Sequence, residues 1–253
     1  MSDQQIPPIS NPQGAPPLLT GGTPPHVNPP TGENPSDRQP VTGIISAVEA
    51  ILRQPRRIHY QLSQGNTASV ISVLLAIAVF CALVYGFIIG TFSGGTQLWA
   101  APLKVAGGLL VSGLICLPSL YIFCCLSGSQ ARLGEVFGLL AGMLAITTIL
   151  LIGFAPVAWV FSQSTESVPT MGTLHLIFWM VATIFGLRFL ARGFSQLKAG
   201  PSGMLVLWGA IFLLVALQMT TALRPIVGKS DHFFPEKKQF FMSHWFDNLN
   251  NQE

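Results

Sequence analysis

Four ionisable side chains stand inside or against long apolar stretches of the sequence: Lys104, Glu135, His175 and Arg188. Such groups are expensive to desolvate. They move protons or ions, pair with one another, or reach water along a flexible stem. Their positions favour the last two uses. Each lies close to an end of its apolar stretch, and no stretch carries a carboxylate at its centre. Glu135 and Arg188 fall near the ends of their helices that share the expected cytoplasmic side, so they are expected to pair. The rival use is a small transporter or channel built from Lys104, Glu135 and the interior prolines Pro118 and Pro156, because a broken helix frees backbone carbonyls for a solute.

No signature of covalent or hydrolytic chemistry accompanies them. The sequence contains no H-E-x-x-H, no G-x-S-x-G and no G-K-[ST] after a glycine-rich turn, which are the patterns that place a zinc ion, a nucleophile or a phosphate cradle. His175 is alone of five histidines in lying within an apolar stretch, and a base with no nucleophile beside it makes no dyad. Cys81, Cys116, Cys124 and Cys125 follow no metal-ligand spacing. They read as small polarizable packing residues. The sequence therefore points to no catalytic residue, no cofactor and no metal, and to a protein that is not an enzyme.

The elements that position these residues follow from composition. Half of the 253 residues are hydrophobic, 9% are charged and the mean hydropathy is +0.54. A soluble domain carries about 25% charged residues, so lipid is the expected solvent. A net charge of +3 offers no polyanion-binding surface, and nucleic acid is not an expected partner. A bilayer core takes about 20 helical residues. Five stretches meet that length, at about 69–92, 103–126, 133–161, 171–190 and 204–223. The expected fold is an all-α polytopic transmembrane bundle over 64–226, joined by links too short for an extramembrane domain.

Within the third stretch Gly134, Gly138 and Gly142 recur every four residues, which places them on one helix face where a second helix can approach closely. Packing within the chain is the expected use, and contact with a second copy or a membrane-protein partner is the alternative. Gly86 and Gly90 make a weaker pair of the same kind.

The ends differ from the middle. Eleven of the 19 prolines fall in the first 40 residues. Residues 1–41 are therefore expected to form a disordered tail that samples polyproline II. Over 42–63, Ile44, Ile45, Val48, Ile51 and Leu52 share one helix face, and Pro55 ends or kinks that helix. It is expected to lie on the membrane with Arg53, Arg56 and Arg57 near lipid phosphates, or to pack on the bundle. Residues 227–253 are polar but rich in aromatics, which suit an interface, with a surface helix near 236–249.

The opening Met1-Ser2-Asp3-Gln4-Gln5 has no basic segment before an apolar core, so the first span is expected to direct insertion. With the N terminus in the cytoplasm, Arg53, Arg56, Arg57, Arg132, Arg188, Arg192 and Lys198 lie inside. Lys104, Arg224, Lys229, Lys237 and Lys238 lie outside, seven against five. That bias favours this orientation, in a bacterial-type inner membrane.

The stretch Ile51-Leu52-Arg53-Gln54-Pro55-Arg56-Arg57-Ile58-His59-Tyr60-Gln61, followed by closely spaced spans, resembles the bacterial branch of the Yip (Ypt-interacting protein) family. The resemblance covers about residues 45–223. It implies a Pro-containing helical entry, a five-helix bundle and a cytosolic N terminus. The acidic-aromatic N-terminal motif of the eukaryotic members is missing, so their role with small GTPases is not implied. Bacterial chains similar around Tyr85 to Gly90 and Arg224-Pro225 carry a WASP-homology-2 actin-binding label. Residues 44–52 imitate the helix of that motif, but Arg56-Arg57-Ile58 does not match the L-K-K-[TV] segment that must follow.

Overall fold

A computed structural model describes residues 32–65, 67–95, 97–164, 167–197 and 203–222. The expected tail over 1–31, the aromatic C-terminal segment and its surface helix lie outside the described residues. The described chain is all-helical. A 3-10 turn at Pro35–Arg38 precedes α1 (Gly43–Arg53), α2 (Pro55–Ser63), α3 (Thr67–Ser93), α4 (Gln97–Leu126), α5 (Leu133–Ser164), α6 (Val168–Gln196) and α7 (Gly203–Ala222).

Four helices, α3 to α6, are long and apolar enough to cross a bilayer. The stretch expected to be a fifth span forms α7, a shorter apolar helix that falls outside this group among the described residues. Helix α5 is the centre of the bundle: 72% of its most apolar window is buried, against 33% for α4. It packs against α3, α6 and α4, while α7 lies on the outer side of α4. The outward faces are apolar, with Leu114, Ile115 and Ile122 on α4 and Val206, Leu207 and Leu214 on α7 all exposed. Such a surface suits lipid or another membrane helix.

Helix boundaries have local causes. Helix α4 begins at Gln97 rather than near 103, running through Pro102. Proline so close to the start interrupts only the first turns. The other end of α4 is closed by Gly128, whose φ of +80° lets the chain leave left-handed. Gly128 N–H donates to Cys125 O at 3.0 Å and Ser129 N–H to Cys124 O at 3.3 Å, the paired bonds of a Schellman ending. Helix α5 is capped in turn by Glu135, whose carboxylate accepts the Arg132 backbone N–H at 2.9 Å.

Pro55 divides the expected amphipathic segment into α1 and α2. Helix α1 buries Ala47, Ala50 and Ile51 on the bundle, whereas Ile44 and Ile45 stand 60% and 86% exposed. Part of the apolar face read from the sequence thus packs inward and part points away from the protein. The last residues assigned to the N-terminal tail belong to the fold. Residues 32–41 run along α2, held by Arg57 Nε to Gln39 O and Gln61 Nε2 to Gln39 O, both 2.7 Å.

Candidate functional site

Helix α2 is wedged between the ends of α5 and α6, and glycines make the room. Gly138 faces the Leu62 side chain of α2, and Gly134 faces Thr67 of α3. A Cβ on Gly142 would come within 2.5 Å of the Phe189 ring. The stripe predicted from four-residue spacing therefore packs within the chain, each glycine admitting a side chain from another segment. Two further glycines complete the arrangement. Gly186 lies against Met143 and Thr147 of α5, and Gly193 lies against Leu139 and His59.

His59 occupies the floor of this wedge. It is 6% exposed and stacks on Phe189 with ring centroids 4.5 Å apart and planes 26° from parallel. Neither ring nitrogen has a hydrogen-bond partner among the described residues. A buried polar atom left so costs about 1–3 kcal/mol. Burial, with the Arg192 charge adding to it, holds the imidazole pKa down at about 4, so the ring is neutral at physiological pH. A neutral imidazole offers one N–H donor and one bare nitrogen acceptor.

A second polar centre lies toward the other end of α6. The Tyr85 hydroxyl of α3 and Nδ1 of His175 of α6 are 2.8 Å apart and buried. Which of them donates depends on the histidine tautomer. The two rings meet edge to face, 88° apart. Lys104 of α4 is 2% exposed, enclosed by protein rather than extended along the surface as its position near a helix end suggests. Nothing in the sequence pattern paired Tyr85 with His175, because 90 residues separate them.

The expected ion pair between Glu135 and Arg188 does not form. Glu135 caps α5, and the Arg188 guanidinium sits 5.4 Å above the Phe185 ring, one turn back on its own helix. Arg188 is exposed and its charge meets the ring face, which avoids the desolvation that a shared buried pair would cost. The three arginines assigned to the membrane surface also divide. Arg53 is exposed beside Glu49 at 3.6 Å. Arg57 is committed to Gln39 O and Pro40 O at 2.7 and 2.6 Å, with Ser46 Oγ at 3.4 Å. Arg56 lines a cleft beside His59.

Helix α7 packs on α4 beside Pro118. Trp208 is fully buried, and its indole N–H donates to Cys116 O at 3.1 Å and lies 3.2 Å from Ser119 Oγ. The carbonyl that Pro118 leaves without its helical donor is that of Leu114, one turn back, so this bond joins α7 to α4 without occupying the freed group. Among the described residues no three His, Cys, Asp or Glu side chains are grouped to hold a metal. Compared with protein-family models, with curated proteins and with solved structures, the chain matches none.

Proposed function

We propose that this chain is a non-enzymatic multi-pass membrane protein that serves as a scaffold or accessory subunit of a membrane complex. In this reading α7 is the fifth crossing, and the bundle lies in a bacterial-type inner membrane with the α1/α2 end on the cytoplasmic side. The Yip-like layout seen in the sequence agrees with that arrangement. The observation that carries the reading is the use made of the interior. The glycine stripe, the Trp208–Cys116 bond and the Tyr85–His175 pair each join one helix to another, while α4 and α7 present broad apolar faces outward. A bundle built this way is suited to hold a shape and offer a surface. Its test is co-purification in a gentle detergent: a stoichiometric membrane partner, retained at moderate salt, is the expected result.

A small transporter or channel is the second reading, favoured by the enclosure of Lys104 at 2% exposure within a membrane-length helix. Solute flux in proteoliposomes that disappears on Glu135→Gln or Lys104→Met would support it.

A further inference from the structure

Helix α1 is divided lengthwise into three sectors. With about 100° of turn per residue, Ala47, Ala50 and Ile51 share the sector buried on the bundle, in the same core cluster as Val70, Ile71 and Leu74 of α3. Ile44, Leu52 and Ile45 follow on one side of it, exposed by 60%, 50% and 86%. Ser46, Glu49 and Arg53 lie on the other side, and Glu49 and Arg53 pair at 3.6 Å. A helix on the surface of a water-soluble bundle needs only a buried sector and a polar one. A third sector, apolar and bare, calls for a third surrounding.

We infer that α1 lies in the boundary of the bilayer, with Ile44, Ile45 and Leu52 set among lipid acyl chains and Glu49 and Arg53 turned to water. This rests on the reading that α3 to α6 cross the bilayer, and the depth of α1 agrees. Trp99 at the start of α4 and Trp159 near the end of α5 are 75% and 52% exposed. Those helix ends meet α3 around Ile89, at the end of the bundle away from α1, and exposed indole rings suit the headgroup level. From Trp159 a hydrocarbon core of about 30 Å takes about 20 residues of α5, which reaches Leu139. Leu139 and His59 of α2 both lie against Gly193, and α1 packs on α2, α3 and α5. The second boundary therefore falls at α1 and α2. Glu49 and Arg53 offset one another, so burial of apolar area, rather than attraction to anionic headgroups, holds α1 in place. Residues 32–41, tied to α2 through Gln39, are thereby kept at the membrane surface.

The test uses the full-length protein with Cys125, the exposed one of its four cysteines, replaced by Ser. Single nitroxide labels are attached at Ile45→Cys, Leu52→Cys, Glu49→Cys and, on the outward face of α4, Ile115→Cys. In phosphatidylcholine vesicles, collision with oxygen reports lipid and collision with a nickel chelate reports water. The ratio of oxygen to nickel collision is expected to be about threefold or more higher at 45 and 52 than at 49, and highest at 115. Labels at 45 and 52 as open to nickel as the label at 49, with the label at 115 still in lipid, would overturn the inference. Labels at 45 and 52 shielded from both probes would also overturn it, and would show a protein cover on α1, a second copy or a partner. A label at 115 open to nickel would overturn the crossing reading, and the inference with it.

Discussion

His59 of α2 lies flat on Phe189 of α6, 4.5 Å between ring centroids, and so fastens the entry helix to the membrane bundle. The contact carries a pH dependence. The folded pKa of about 4 is below the ordinary value of 6.5 because burial and Arg192 oppose the charged ring. The unfolded state therefore binds the extra proton first, and stability is complete above about pH 6.5 and lost as the pH falls toward 4. Between pH 7 and pH 5 the loss is about 2 kcal/mol. Asp37, Glu135 and Arg192 border the same cleft. Hydrogen exchange in α2 should quicken over that interval in the wild-type protein and not in His59→Phe. Identical pH profiles for the two would mean that the imidazole is not held neutral by the fold.

The glycine stripe makes a second expectation. Gly142→Leu and Gly138→Leu drive a side chain into Phe189 or Leu62, and overpacking of this kind costs about 1–3 kcal/mol or more. Gly153 meets open space on the same helix, so Gly153→Leu should unfold in detergent within a degree or two of wild type. Equal tolerance at all three positions would move the stripe from the interior of the chain to an outer face.

Much of this was legible beforehand, for physical reasons. Apolar length fixes a membrane helix because the bilayer core has a fixed thickness, and Pro55 divides α1 from α2 because proline cannot continue the hydrogen-bond ladder. Gly134, Gly138 and Gly142 announced a close approach through spacing alone, but not what approaches. The partners Leu62 and Phe189 come from α2 and α6, and no local pattern encodes them. His59 showed no signal at all. Its significance comes from Phe189 and Gly193, more than a hundred residues away, and from its burial. The expected Glu135–Arg188 pair failed because nearer partners, the Arg132 N–H and the Phe185 ring, were available to each.

Trp208 should report the junction of α7 with α4. Trp208→Phe keeps the stack on Phe212, whose centroid is 5.4 Å away, but removes the donor to Cys116 O. A loss of about 1 kcal/mol is expected. Trp208→Ala also empties a large buried volume and should cost about 3–5 kcal/mol. Thermal unfolding in detergent orders the three proteins. A Trp208→Ala protein as stable as wild type would show that α7 does not depend on this anchor.

Arg57 ties residues 39 and 40 to α2. Arg57→Gln should release the segment that includes the Pro35–Arg38 turn, seen as limited proteolysis before residue 41 at rates at least several-fold above wild type. Unchanged cleavage would place the holding force elsewhere, with Gln61 the next contact to test.

In the proposed role the bundle holds a shape and presents its outward apolar faces to a partner. Its most direct test is purification of the full-length protein from its native membrane in a gentle detergent, followed by mass spectrometry of the intact complex. A membrane protein bound in fixed stoichiometry is expected, and its loss when the outward apolar residues of α4 or α7 are replaced by larger polar ones. A lone, monodisperse chain that moves a solute across proteoliposome membranes would contradict it.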